Sequence, residues 1–187
     1  QDIKFLNETF GFSLLNLEDY LYKTQIPKIE TYDEYSLVVM DLPYIQQPIK
    51  PKEHRVSFSL LPKATRRKRI SVGEVDFFIG KDYLIVLHDE RTPQIDELFE
   101  MCKLSEKNRE AFMGKGPMYL FYRIADILVD ASISYVDDIT NTIDLIDRQL
   151  EDNSSTSVIE DISMTRLNFV VFETMIKPTL PIFADLE

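Results

Sequence analysis

The longest regular feature of the sequence is a run of apolar residues that recur every three or four positions between Met118 and Leu150. This spacing is typical of one face of an α-helix, and it predicts a single amphipathic helix of about nine turns. The recurring residues are Ile124, Leu128, Ala131, Tyr135, Ile139, Ile143, Ile146 and Leu150. A second apolar helical pattern follows after a short polar segment, so we expect the two helices to pack antiparallel as a hairpin.

The first half of the sequence indicates a β-sheet. Apolar runs and alternating patterns predict strands over Ile29–Tyr32, Tyr35–Leu42, Arg55–Leu61, Ile70–Ile79 and Tyr83–His88. The turn at Gly80 predicts that the last two strands form a hairpin. Leu84–Leu87 is apolar without interruption, which is typical of a strand buried on both faces. Pro43, Pro48 and Pro51 indicate a loop.

Shorter helices are predicted around these strands. They cover Asp2–Phe10, Leu14–Lys23 and a segment from Pro93 to just before Gly114. Asn16 is the predicted N-cap of the second helix, which places Glu18 and Asp19 in its first turn. Thr92 and Pro93 suit the N-cap and the first position of the third helix. Pro178 and Pro181 are expected to kink or end the last helix of the chain.

These elements predict an α/β fold in which helices sandwich a mixed β-sheet, followed by a long antiparallel helical hairpin. Residues 1–116 form the α/β part in this interpretation. Residues 117–187 form the hairpin and pack on the α/β part as one domain. The sequence contains no apolar run of eighteen residues, so no segment of it is predicted to span a bilayer.

The charge of the chain is strongly negative and unevenly distributed. The formal net charge is −11, and the segment from Met118 to Glu187 holds thirteen acidic and four basic residues. Binding to nucleic-acid phosphates needs clustered Lys and Arg, so this balance argues against a nucleic-acid partner. It favours cations, with a solvated acidic helix surface as the simpler alternative.

Several segments, taken in order, resemble one known family. They are Phe10–Phe12, Leu17–Leu21, Pro27–Glu30, Tyr35–Met40, Ser71–Asp89, and Tyr119–Tyr122 followed by Ile124–Asp130. Together they resemble the cytoplasmic domain of the CorA-type magnesium/divalent-cation transporter family. Pro178 and the residues around it resemble the start of the family's stalk helix, so residues 117–187 would hold the hairpin and the start of that helix. The family's Gly-Met-Asn signature and transmembrane helices are absent and would follow Glu187. The loop from Lys63 to Arg69 is more basic than the family pattern and has no assigned role.

The resemblance implies a function for the chain. It would be the cytoplasmic regulatory domain of a CorA-like Mg²⁺ (Co²⁺/Ni²⁺) transport channel, and not an enzyme. Divalent cations would bind at subunit interfaces and gate transport. The full-length protein would be a homopentamer in the cell inner membrane, held there by helices beyond Glu187. The fragment alone would be monomeric or weakly associated.

The resemblance also implies metal-binding residues. Asp19 falls at the family's main regulatory position with Glu18 beside it, and Asp126 falls at a nearby ion position. Asp130 lies four residues after Asp126, on the same predicted helix face. Mg²⁺ prefers oxygen ligands, keeps several waters and often contacts only one or two carboxylates, so scattered acids on different chains suit it. The alternatives are helix-dipole complementation for Glu18 and Asp19 and a solvated or ion-paired face for Asp126 and Asp130.

Besides a structural module that uses its helical hairpin only for assembly, two other functions stay open at this point. The first is zinc transport within the same family, because the residues that would decide the transported ion lie outside the sequence. The second is a metal-dependent hydrolase, against which the sequence has no Gly-rich phosphate loop, Gly-x-Ser-x-Gly or His-Glu-x-x-His motif. A zinc centre of the usual kind needs several Cys or His ligands, and only Cys102, His54 and His88 are present.

Overall fold

A computed structural model describes residues 2–22, 25–46, 69–151 and 156–184. The elements in chain order are α1 (Asp2–Phe10), α2 (Leu14–Tyr22), β1 (Lys28–Thr31), β2 (Tyr35–Gln46), β3 (Arg69–Gly80), β4 (Leu84–Leu87), α3 (Pro93–Leu104), α4 (Glu106–Met113), α5 (Pro117–Glu151) and α6 (Thr156–Ala184). None of the helices in these ranges is both long and apolar enough to cross a membrane. The predicted strand Arg55–Leu61, and with it Pro48, Pro51, His54 and the basic residues 63–68, lies outside the described residues.

The sheet is a four-stranded meander in the order β1-β2-β3-β4. Strands β2 and β3 pair along their whole length, from Tyr35 opposite Gly80 to Gln46 opposite Arg69. The two outer strands are short and pair with the same end of this β2–β3 ribbon. β1 reaches along β2 as far as Val39, and β4 reaches along β3 as far as Asp76. All described strand pairs are antiparallel, whereas a mixed sheet was predicted.

The two faces of the sheet are covered by different helices. Helices α3, α5 and α6 cover one face, with Phe77, Phe121 and Leu128 among the residues of that core. Helices α1 and α2 cover part of the other face, where Phe12 and Leu17 pack against the strands. Successive strand residues point to opposite faces, so β2 and β3 contribute alternate side chains to each core. The predicted arrangement of a sheet between helices, with a long helical hairpin, is therefore confirmed.

The predicted long helix is confirmed as α5, which has 35 residues. It contacts β2, β3 and β4 as well as α6, so the hairpin lies against the sheet. Asp130, Asp137 and Asp144, which repeat every seven residues, are exposed on the outer side of α5. Helix α6 continues to Ala184 and contains both Pro178 and Pro181, so neither proline ends it.

Four local predictions were wrong, and the first two are wrong because the tertiary setting of the residue outweighs the local pattern. Pro43 lies inside β2, at a point where β1 no longer pairs with that edge of the strand, and an edge tolerates the missing N–H. Asn16 lies in the third position of α2 and donates to the Tyr32 hydroxyl at 2.8 Å, so it is not the N-cap and the helix has no acid in its first turn.

The other two concern β4 and the third helix. β4 is half-buried and not fully buried, because it is the last described strand of the sheet and pairs only with β3. The helix that begins at Pro93 stops at Leu104, and Ser105 caps a separate helix by accepting a hydrogen bond from the Asn108 backbone N–H. Thr92 precedes Pro93 as predicted but makes no side-chain capping bond.

Candidate functional site

The position of α2 is set by contacts with the first two strands. The Tyr35 hydroxyl accepts a hydrogen bond from the Ser13 backbone N–H at 3.1 Å, just before the helix begins. Asn16 is tied to Tyr32, and Leu17 is buried against the sheet. These contacts use the inner side of α2, so the side chains on its outer side are left facing outward.

The two acids of α2 lie toward this outer side. Glu18 is exposed and Asp19 is half-buried. In the described part of the chain, neither carboxylate has a hydrogen bond or an ion pair. Exposed apolar side chains surround Glu18 one turn away in each direction: Leu14, Leu15, Leu21 and Tyr22. An acid in an exposed apolar patch is typical of an interaction surface and not of a solvated helix face.

Asp126 and Asp130 are both exposed on α5. Arg123, one turn before Asp126, does not form an ion pair with it in the described structure. The guanidinium instead lies 4.8 Å from the centre of the Phe112 ring and 3.4 Å from the Tyr119 hydroxyl. Asp126 nevertheless acts electrostatically on the Arg123 guanidinium, so the ion-paired alternative for Asp126 stays open, and a solvated face is compatible with both acids.

The four predicted ligands do not form one metal centre within a single chain. Among the described residues, no group of three or more Asp, Glu, His or Cys side chains could hold a metal ion. A site built on Asp19 or Asp126 therefore needs ligands beyond such a group of described side chains, and Mg²⁺ commonly takes most of its ligands from water. The structure does not test whether these residues bind ions, so the assignments stay predictions.

A second group of acids was missed in the sequence. Asp41 on β2 lies opposite Glu74 on β3, and Asp76 lies two positions further along β3 on the same side of the sheet. We call these three residues the sheet acid cluster. Asp76 is 0% exposed and Glu74 is 6% exposed. They occupy the face covered by α1 and α2, beyond the part that the aromatic core fills.

The segment after α2 is bonded to this cluster. Gln25 donates its backbone N–H to Glu74 Oε2 at 3.3 Å and its side-chain amide to Asp76 Oδ2 at 3.1 Å. Burial, followed by repulsion from Glu74 and Asp41, raises the pKa of Asp76 to about 7 against the opposing Gln25 bond and Lys28. Burial and then Glu74 raise the pKa of Asp41 to about 6.

Comparison with known proteins identifies the chain's relatives. A model of the family described as "CorA-like Mg2+ transporter protein" matches residues 1–186. The chain belongs to this CorA-like family. The predicted family resemblance is therefore confirmed, and the family is one of transporters and not an enzyme class.

One curated protein and two solved structures are also similar to the CorA-like chain. The chain is 27% identical over 125 residues to YfjQ of Bacillus subtilis (strain 168), provisionally designated a metal ion transporter; the match covers 67% of this chain and 31% of YfjQ. The soluble domain of CorA from Methanocaldococcus jannaschii superposes with a TM-score of 0.70 at 17% identity, over 95% of this chain and 62% of that one. Full-length CmaX gives 0.67 at 16% identity, over 98% and 50%.

The two structural matches show that the CorA-like chain shares their fold, including the sheet and the long helices. The chain spans about a third of YfjQ and half to three-fifths of the two solved proteins. The described part of the CorA-like chain does not include a hydrolase-like cluster of acids and histidines. His88 instead follows β4 directly, with Nε2 3.7 Å from Asp96 of α3 and Nδ1 3.4 Å from the Thr92 hydroxyl.

Proposed function

We propose that this chain is the cytoplasmic, cation-sensing part of a CorA-like membrane transporter for Mg²⁺ and similar divalent ions. In this proposal Asp19, with Glu18 beside it, binds a hydrated divalent cation at the contact between neighbouring subunits of a homopentamer. Ion binding there holds the subunits in one arrangement, and ion loss releases them to change transport. Co²⁺ or Ni²⁺ would be alternative ions for the same oxygen ligands, and Zn²⁺ transport is the family alternative.

The observation that carries the proposal is the state of the two α2 acids. Neither has a basic partner among the described residues, and the apolar patch around Glu18 would be covered when a second subunit packs against it. Covering that patch would also bury the carboxylates, and an acid buried without a compensating charge is strongly disfavoured. A cation captured at the interface would remove this penalty.

The chemistry of Mg²⁺ agrees with an incomplete site on one chain. Mg²⁺ keeps several waters and is commonly held by one or two carboxylates. Two carboxylates about 4 Å apart repel by roughly 4 kcal/mol at an effective dielectric of 20. A bridging dication reverses that repulsion. A few kcal/mol at each interface is enough to shift a two-state equilibrium between closed and open arrangements.

Asp126 and Asp130 have a secondary role in this proposal. Both are exposed, one turn apart on α5, and can contact a hydrated ion through its waters. The exposed stripe that continues through Asp137 and Asp144 would raise the local cation concentration by its field, over a distance of about 8 Å at physiological salt.

Paramagnetic broadening of NMR signals tests the assignment on the chain as it stands. Mn²⁺ is a divalent probe that occupies oxygen-ligand sites for Mg²⁺. We expect substoichiometric Mn²⁺ to broaden the amide signals of residues 17–21 first, and excess Mg²⁺ to restore them. Asp19→Asn should abolish this broadening, while Asp33→Asn, in the exposed turn between β1 and β2, should leave it unchanged.

Two results would contradict the proposal. One is broadening restricted to the α5 stripe, which would show only non-specific attraction of cations. The other is identical broadening near residue 19 in wild type and Asp19→Asn. Light scattering with and without Mg²⁺ adds an independent readout, because a cation shared between subunits should increase self-association of the wild type only.

A further inference from the structure

The half of the α5–α6 hairpin that lies on the sheet is well packed. Phe121, Ile124 and Leu128 of α5 are buried in the same core as Ile182 of α6 and the facing side chains of β2 and β3. A buried core residue touches many neighbours, so this half does not move without losing several packing contacts at once. We call it the packed half of the hairpin.

The other half of the hairpin is packed much less completely. We call residues 136–150 of α5 and 158–167 of α6 the distal hairpin. Ile139, Ile146 and Val158 are its buried apolar side chains, and most of its other apolar side chains are exposed. A low density of buried apolar contacts is typical of regions that open locally at a lower free energy than the whole domain.

A cleft of about 340 Å³ separates the distal hairpin from the end of the β2–β3 ribbon, where Ile45 and Ile70 line it. This volume is far larger than a single water molecule needs. Thr142 of α5 and Thr165 of α6 also line the cleft, but their hydroxyls donate to carbonyl oxygens of their own helices at 2.7 and 2.8 Å. Neither hydroxyl proton is therefore used to join one side of the cleft to the other.

One buried hydrogen bond joins α6 to the ribbon beside this cleft. Asn168, the residue that follows the distal hairpin in α6, accepts the Ile70 backbone N–H at Oδ1 over 3.0 Å. Both residues also line the cleft. An N–H that loses its acceptor while it is still buried keeps its full desolvation cost, so this bond opposes separation of α6 from the ribbon.

Helix α5 has a soft segment between the packed half and the distal hairpin. Ser132 donates to the Leu128 carbonyl at 2.8 Å, and Ser134 donates to the Ala131 carbonyl at 2.7 Å. Hydroxyl bonds of this kind, back to the preceding turn, slightly destabilise a helix and often bend it. Bending here would displace the distal hairpin and leave the core below Leu128 in place.

We propose that the distal hairpin swings away from the end of the β2–β3 ribbon as one unit, with the Asn168–Ile70 hydrogen bond as its latch. The packed half stays on the sheet in both states. Removing the latch should raise the population of the open state about 5- to 150-fold. The motion goes beyond cation binding at Asp19, because it involves other residues and does not require Mg²⁺.

Thiol labelling measures this opening. In chains that carry Cys102→Ala, one reporter thiol replaces either Thr165, which is buried beside the cleft, or Ala125, which is buried in the packed half. The Thr165→Cys thiol should react through an opening that urea hardly promotes, because little surface becomes exposed. Adding Asn168→Ala should speed its reaction about 5- to 150-fold. Asn141→Ala, at an exposed position that lines the same cleft, should leave the rate unchanged.

A substitution in the packed half distinguishes two opening units from one. Phe121 meets Phe77 of the sheet edge-on, with ring centres 4.9 Å apart. Phe121→Ala should speed labelling of the Ala125→Cys thiol and leave the Thr165→Cys thiol unchanged, because the packed half stays closed when the distal hairpin opens. Equal acceleration at both thiols would show that the hairpin is a single cooperative unit and would overturn the proposal.

The urea dependence keeps the proposal testable if a variant fails to fold. In chains that retain Asn168, labelling of the Thr165→Cys thiol with the steep urea dependence of global unfolding would also overturn it. So would an unchanged labelling rate when Asn168→Ala is added. Asp19→Asn should leave both thiols unchanged, which separates failure of the latch from failure of the ion-binding proposal.

Discussion

Replacing Phe12 by Ala tests whether one aromatic ring holds the α1–α2 corner, and with it the proposed ion-binding acids, on the sheet. Phe12 lies between the two helices and is 0% exposed. Its ring stacks on Phe78 at 4.3 Å and on Phe10 at 5.4 Å, and it also contacts Tyr35 at 4.8 Å and Tyr83 at 6.1 Å. Removing it therefore leaves four aromatic neighbours with a void among them.

The expected loss follows from this burial. Phe→Ala substitutions in well-packed cores cost about 3–5 kcal/mol, which combines lost burial with the unfilled cavity. For a chain of this length, 1 kcal/mol lowers the melting temperature by about 2–4 °C. The predicted decrease in melting temperature is therefore about 6–20 °C. We also expect the amides of α2 to lose protection against hydrogen exchange before those of α5 do.

Urea denaturation and hydrogen exchange on Phe12→Ala and Phe5→Ala provide the comparison. Phe5 is 60% exposed and its ring meets the Phe10 ring edge-on at 6.5 Å, so its removal should cost less than about 1 kcal/mol. Equal losses in the two variants would refute the reasoning. So would a loss at Phe12 that spreads evenly over all helices, because the corner would then not be a separate anchor for α2.

Three further predictions concern single contacts. Asn168→Ala removes the side-chain oxygen that accepts a hydrogen bond from the buried Ile70 N–H at 3.0 Å. The free energy of unfolding, measured by urea denaturation, should fall by about 1–3 kcal/mol, and a change near zero would contradict this. Gly116→Ala places a side chain at φ +92° before α5 and should cost about 1–3 kcal/mol from backbone strain alone, since a Cβ there meets no neighbour. Asp41→Asn should stabilise the folded chain above about pH 6 and leave its stability unchanged near pH 4, because the pKa of Asp41 is raised to about 6 in the folded chain. A change in stability that does not depend on pH would show that the ionisation of Asp41 is not its cause.

The elements that follow a local pattern were predictable. The hairpin at Gly80 and the 35-residue helix α5 both depend on spacing within one segment, and both are present at nearly the predicted limits. The β2–β3 pair was predicted as two strands, but not its full twelve residues. Its extension through Pro43 depends on which strands pair beside it, and a single sequence does not contain that information.

Two of the errors have different causes. Asn16 has the residue type of an N-cap, but its side-chain amide donates a hydrogen bond to the Tyr32 hydroxyl, sixteen residues away. The end of α3 has a local signal that went unused, because Ser105 followed by an acid and by Asn108 is typical of a helix start. Thus only the second of these errors was avoidable from the sequence.

The candidate sites differ in the same way. Glu18 and Asp19 were predicted from the family resemblance, and the structure adds that Glu18 is exposed, that Asp19 is half-buried and that neither has a described basic partner. The sheet acid cluster leaves one signal in the sequence itself, because Asp76 interrupts a run of apolar residues that are buried in β3. Its meaning depends on strand register, which brings Asp41 opposite Glu74, and register cannot be read from either strand alone.

The length of α5 has a mechanical consequence. At 1.5 Å per residue its 35 residues extend for about 52 Å, longer than the roughly 40 Å diameter of a compact domain of this size. The helix begins among the packed side chains of Phe121 and Ile124, and its last turns expose Leu145 and Leu150. A tilt of about 5° at the packed end would move the far end by about 4–5 Å. Displacements too small to break any contact at the sheet thus become amplified at the remote tip.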